Sequence, residues 1–325
     1  MAYYSIEICA GAGGQALGLE KAGFKHLELI EIDSNACNTL RFNRPDWKII
    51  EGDICKYSPK LDFDVDLLAG GVPCPPFSVA GKQLGSDDER DLFPEALRLV
   101  SEIKPKVVML ENVRGLLDTV FDEYRARIIK KLEYLGYATD WRLLNASDFG
   151  VSQLRPRVVF IGIRKDISPY YFWPNPFNKK PPSVGELLYD LMAKNQWKGA
   201  TWWKQKACDI APTLVGGSKK HGGPDLGPVR ARKAWASLGV EGKSIANDSP
   251  EKDFEGMPRL TVEMAARLQG FPSDWIFTGS KTNKYRQIGN AFPPPVAEAV
   301  GKQIRKALDM YYTFVEHKIP ERKFA

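Results

Sequence analysis

For its first 165 residues the chain alternates short apolar runs with amphipathic stretches, and this alternation restricts the fold more than any other feature. Strands separated by helical patterns build parallel sheets through crossover units. Residues 5–9 and 27–32 read as strands, with a helix between them through Ala22. Ser34 is placed to cap a helix reaching about Phe42. Residues 65–69 and 107–110 are apolar enough to be central strands covered on both faces. Val120, Phe121, Tyr124, Ile128, Leu132 and Leu135 fall on one helical face. A strand at 158–163 closes the region. The expected class is α/β with a Rossmann-like sheet.

Gly11-Ala12-Gly13-Gly14 follows the first strand and opens a helix, and Glu31 ends the next strand twenty residues after Gly11. Glycines allow a tight turn and let a ligand approach the backbone, while a carboxylate at that second strand end suits the hydroxyls of a ribose. Gly52-Asp53-Ile54 follows a similar step later, where Asp53 could accept from an adenine amino group. Together these ask for an adenosine-containing cofactor without choosing between a dinucleotide and S-adenosylmethionine. A tight turn with no ligand is the plain alternative.

Gly70 to Ser78 (GGVPCPPFS) leaves a strand at its C-terminal end, where ligands bind in open α/β sheets. A cysteine between prolines on a loop packs poorly and presents its sulfur well. Thiolate is the nucleophilic form. Cys74 is therefore the candidate nucleophile, while Cys9, Cys37, Cys55 and Cys208 read as small buried hydrophobes.

Beyond residue 165 the texture changes. Residues 170–182 are rich in proline and aromatics, a plausible boundary, and 211–230 are dense in glycine and proline. Helical periodicity returns at 261–269 and 295–308. Of 46 basic and 40 acidic residues, ten basic and three acidic ones fall between Lys194 and Lys243. That local excess of seven exceeds the net +6 of all 325 residues. Trp197, Trp202, Trp203 and Trp235 are expected to form a small core there. Five cysteines without paired spacing and three scattered histidines argue against a disulfide framework or a metal site. Free thiols, no bilayer-spanning apolar stretch and no basic leader suggest a cytoplasmic protein without a signal peptide.

Six segments, in order, resemble the motifs of the cytosine-5 DNA methyltransferases: 7–14 (EICAGAGG), 73–78 (PCPPFS), 111–113 (ENV), 153–157 (QLRPR), 259–272 and 285–293 (YRQIGNAFP). The resemblance implies an S-adenosylmethionine-dependent methyltransferase domain at 1–170 plus 281–325, and a smaller, irregular target-recognition domain at 171–280. It implies that Cys74 attacks carbon 6 of a flipped-out cytosine. Glu111 would protonate or hydrogen-bond ring nitrogen 3, and Arg157 would hold the ring oxygen at position 2 with Arg155 in support. Cofactor contacts are implied for Cys9, Ala10, Gly11, Gly13, Gly14, Glu31, Ile32, Asp53, Ile54, Pro73, Leu92, Asn290 and Ala291. DNA contacts are assigned to Ser78, Lys82, Gln83, Arg90, Gln153, Thr213, Lys219, Lys220 and Arg230.

The implied partners are duplex DNA and a cognate restriction endonuclease of the same restriction-modification system, with the chain itself monomeric. Two positions depart from the family pattern: Cys9 stands where an aromatic residue usually stacks on adenine, and Pro75 where glutamine is common. Three other readings remain. A tRNA substrate would come with a Cys-Phe-Thr tripeptide, which does not occur. A non-enzymatic relative would lack Cys74, Glu111 or the arginine pair. A dinucleotide oxidoreductase rests on the glycine turn alone.

Overall fold

The computed structural model describes residues 1–59, 64–73, 91–216 and 223–316. Seven strands, β1 (Tyr3–Ile8), β2 (Phe24–Glu31), β3 (Ile49–Glu51), β4 (Leu67–Gly70), β5 (Val107–Val113), β6 (Tyr137–Asn145) and β7 (Pro156–Arg164), form one sheet in the order β3-β2-β1-β4-β5-β7-β6. β1 to β5 pair in parallel, and β7 runs antiparallel to both β5 and β6. The order reverses between β1 and β4. In an open α/β sheet that reversal leaves a crevice outside the strand ends, where ligands bind.

The helices are α1 (Gly14–Lys21), α2 (Ser34–Asn43), α3 (Phe93–Ile103), α4 (Asp122–Tyr134), α5 (Val184–Met192), α6 (Ala200–Lys206), α7 (Val229–Ser237), α8 (Val262–Leu268), α9 (Lys281–Asn290) and α10 (Pro294–Glu316). Strand side chains alternate between faces, so successive residues of β4 enter different cores. Leu67 and Ala69 pack with α10 through Val296, Val300 and Ile304, whereas Leu68 packs with Leu99 of α3 and Leu132 of α4. Thus α10 brings the C-terminal part of the chain back onto the sheet formed by its first half. A Cβ on Gly14 would sit 2.3 Å from the Phe292 carbonyl oxygen, so the start of α1 meets the segment leading into α10 only without a side chain. A third core joins Ala16, Leu17 and Leu40 to Trp197, Trp203, Trp235, Met264, Phe271 and Tyr285.

Several expectations are corrected. Asp33, not Ser34, caps α2: its carboxylate accepts the N–H of Asn35 at 2.9 Å, and Ser34 is the first helical residue, with its hydroxyl on Glu51. Val120 points outward, because a short 3-10 turn precedes α4 and breaks the periodicity there. Trp202 is exposed while Trp197, Trp203 and Trp235 are buried, as a seven-residue helix can turn only part of its surface inward. Cys37 is buried and Cys9 half-buried, but Cys55 and Cys208 are exposed. No helix among the described residues is long and apolar enough to cross a membrane.

Candidate active site

Five successive strand ends build one cavity of about 320 Å³. From the end of β1 come Cys9 to Ala12 and Gly14. The end of β2 supplies Glu31, Ile32 and Asp33, and the turn after β3 supplies Gly52, Asp53 and Ile54. Gly71 and Pro73 follow β4, and Glu111 comes from β5. Leu92 stands before α3, and Arg286, Gln287, Asn290, Ala291 and Phe292 close the far side.

The glycine turn is held from β2. Glu31 accepts the N–H of Gly11 through one carboxylate oxygen and that of Asp33 through the other, both at 2.7 Å. Burial pushes its carboxyl above the usual range, and those backbone donors partly offset the rise. Cys9 and Gly13 both adopt left-handed backbone, at φ of 51° and 86°. At Gly13 a side chain is also excluded by space, since a Cβ would lie 2.7 Å from Leu40 and 2.9 Å from Trp275. Gly11 and Gly52 instead face open space, with nothing within 4 Å of an added Cβ. Asp53 caps a short 3-10 turn by accepting the Cys55 N–H at 2.9 Å, which holds its carboxyl below the usual range.

At the opposite end, antiparallel pairing sets Glu111 opposite Val159, so Arg157, two residues earlier on β7, is its diagonal neighbour on the same face. The Arg157 Nε lies 2.9 Å from a Glu111 carboxylate oxygen. Burial pushes the Glu111 carboxyl up, with Arg157 and then Arg155 pulling against it. Arg155 is fully buried, and its guanidinium donates to the carbonyls of Leu214, Gly289 and Ala291 at 2.8, 2.7 and 3.0 Å. Asn112 donates to the Val72 carbonyl at 2.9 Å, anchoring the chain two residues before Cys74. Cys74 itself lies outside the described residues.

The sequence matches the family described as C-5 cytosine-specific DNA methylase over residues 3–306. The chain belongs to that family. It is 58% identical over 311 residues to the Type II methyltransferase M.NgoMIV of Neisseria gonorrhoeae, across 95% of this chain and 99% of that protein. It is 57% identical to M.NaeI of Lentzea aerocolonigenes, across 94% and 75% of the two chains. The fold resembles a DNMT2 variant from Spodoptera frugiperda at a TM-score of 0.64 and 15% identity, covering 94% of this chain and 100% of that one. This DNA cytosine-5 methyltransferase is therefore an α/β enzyme of the expected class.

Within the methylase, all the expected cofactor residues line the cavity except Gly13, which shapes the turn behind it. Glu7, Gln15, Asp33, Arg286, Gln287 and Phe292, to which no cofactor contact is assigned above, line it too. Arg286 lies in the same 285–293 segment as Asn290 and, four residues away on one helix, shares its face. The DNA assignments fare unevenly. Gln153 is fully buried: its amide nitrogen donates to Gln269 Oε1 at 2.8 Å and its oxygen accepts the Leu214 N–H at 2.9 Å. A side chain so enclosed cannot reach DNA, so that expectation is replaced by a structural one. The Thr213 hydroxyl donates to the Leu154 carbonyl, while Arg230 is exposed on α7. Ser78, Lys82, Gln83, Arg90, Lys219 and Lys220 lie outside the described residues.

Proposed function

We propose that this methylase transfers the methyl group of S-adenosylmethionine to carbon 5 of a cytosine rotated out of duplex DNA, through a covalent bond to Cys74. One observation carries the reading: Glu111, with Arg157 beside it, and the glycine turn with Glu31 and Asp53 border a single cavity, which Glu111 and not Arg157 lines, at the point where Pro73 leads into Cys74. The cavity also suits the cofactor. Open backbone at Gly11 and Gly52 leaves room for a ligand, Glu31 and Asp53 offer acceptors for ribose hydroxyls and an adenine amine, and Ile32 and Ile54 offer apolar faces. Ile32 is 66% exposed and can offer an apolar face to adenine where Cys9 replaces the family's aromatic ring.

S-adenosylmethionine supplies the electrophilic methyl group. Cytosine carbon 5 is a poor nucleophile until thiolate addition at carbon 6 pushes electron density onto it. Glu111 donates a hydrogen bond or proton to ring nitrogen 3, a role that needs a carboxyl kept protonated near neutral pH. Arg157 holds the ring oxygen at position 2. After transfer, loss of the carbon 5 proton and of the Cys74 sulfur restores the aromatic ring. Arg155 is taken up by three backbone carbonyls and, at 3.5 Å, by the Gln153 side-chain oxygen, so it positions the site without touching substrate.

Residues 1–170 with 281–325 would do the chemistry and 171–280 would read the sequence. Phosphates provide most of the sequence-independent affinity for DNA, which suits the basic stretch from Lys194 to Lys243. The Type II names of the relatives support a paired restriction endonuclease; that this chain acts as a monomer on cellular DNA is part of the proposal. Bisulfite sequencing of DNA from expressing cells should show methylation at one recurrent sequence, and Cys74→Ala should abolish it. Methylation by Cys74→Ala within about tenfold of wild type, roughly 1.4 kcal/mol in the barrier, would refute the covalent route.

A further inference from the structure

Arg286 lies on α9 one helical turn before Asn290, and both residues line the cavity. The ionisable carboxyls of that wall are Glu7, Glu31, Asp33, Asp53 and Glu111. Among the described residues Arg286 is the only basic one lining it. Other arginines nearby hold carboxylates: Arg41 holds Glu51, Arg44 holds Glu20 and Arg157 holds Glu111. Arg286 forms no such pair among the described residues. Its guanidinium lies 3.4 Å from Asn283 Oδ1, a long hydrogen bond, and its Nε is buried without a hydrogen-bond partner there.

A half-buried charge lacking a counter-ion is costly, so such a group calls for an anion. The planar fork of an arginine matches a carboxylate through two parallel hydrogen bonds. Glu31 and Asp53 face the nucleoside and Glu111 the base in the reading above, which leaves this one cation for the single negative group of the ligand. We propose that Arg286 binds the carboxylate of the amino-acid end of S-adenosylmethionine and thereby orients the cofactor. This assignment rests on the cofactor reading above. It goes beyond the motif that contains the residue, because Arg286 is identified by its missing partner.

Calorimetry with two ligands tests it. S-adenosylhomocysteine carries the carboxylate, whereas 5′-methylthioadenosine has the same nucleoside and thioether without the amino-acid end. Arg286→Gln should weaken S-adenosylhomocysteine roughly tenfold to a hundredfold, as expected for removal of a charge-assisted pair. Methylthioadenosine should bind as before, and Arg286→Lys should recover part of the loss. Equal losses for both ligands would mean that Arg286 only shapes the pocket, and no loss for either would overturn the assignment outright. A variant that keeps S-adenosylhomocysteine affinity and loses duplex affinity would place a DNA phosphate there instead. Wild-type protein that binds neither ligand would overturn the cofactor reading, and this assignment with it.

Discussion

Glu111 and Arg157 meet across antiparallel strands at 2.9 Å, both nearly buried, although the arginine Nε points outside hydrogen-bonding geometry. The pair is therefore close but loose. An ideal fork would fix Glu111 as a carboxylate, whereas here burial prevails and its carboxyl rises above the usual range despite two arginines. A carboxyl held this way can keep the proton that a ring nitrogen needs.

Glu111→Gln should therefore cut single-turnover methyl transfer by roughly 10²–10⁴, the usual range for general acid–base assistance. The protonated carboxyl is the useful form, so wild-type turnover should fall as pH rises through the raised value. Glutamine does not titrate and should lack that decline. A glutamine variant within about tenfold of wild type, with the same pH profile, would assign the limb to another group.

Much of this site was legible because its chemistry sits at strand ends that the apolar runs mark. The turn at Gly11 follows β1, Glu31 ends β2 and Glu111 lies near the end of β5, all at places those runs mark, whereas Asp53 was legible only from its step beyond Glu31. Two strands were not visible. β3 has only three residues, and the edge strand β6 is buried at few positions, so neither carries a readable period. Gln153 misled for a different reason. Its partners Gln269 and Leu214 are 116 and 61 residues away, and polarity in sequence does not distinguish a buried clasp from a surface group.

That clasp has a measurable consequence. Gln153→Ala would leave the Leu214 N–H without its acceptor and deprive Gln269 of its donor in a sealed region. Each abandoned polar group costs about 1–3 kcal/mol, so denaturant unfolding should show a loss of about 2–5 kcal/mol. The salt slope of DNA binding should not change, because no phosphate partner is removed. A stable variant with a shallower slope would restore Gln153 to the DNA surface.

Lys219 and Lys220 belong to the basic stretch assigned to DNA. Replacing both with glutamine should weaken specific and non-specific duplex alike and flatten the log–log salt dependence by about 0.9 for each phosphate no longer neutralised. S-adenosylhomocysteine affinity should stay constant. A loss confined to the cognate duplex would indicate hydrogen bonds to bases, worth roughly 1–3 kcal/mol each. Unchanged binding at every salt concentration would remove the pair from the interface.

Glu7 on β1 is a buried carboxyl in the cavity wall. It is 1% exposed, neither carboxylate oxygen has a hydrogen-bond partner, and Glu31 lies close enough to repel it. Burial pushes its carboxyl well above the usual range, and the nearby Ala16 amide offsets only part of this. In the unfolded chain Glu7 ionises near the ordinary value of about 4.3. The folded state therefore holds a proton that the unfolded state releases, and stability falls as pH rises from that value towards the raised one. Glu7→Gln keeps the shape of the protonated acid and removes its titration. The variant and wild type should melt at similar temperatures near pH 4, and the variant should become progressively the more stable towards pH 8. One pH unit of upward displacement corresponds to about 1.4 kcal/mol, or roughly 2 °C for a chain this long. The other raised carboxyls, Glu31 and Glu111, remain in both proteins, so the difference between the two melting curves isolates Glu7. Melting temperatures that stay parallel from pH 5 to pH 8 would mean that Glu7 is ionised in the fold.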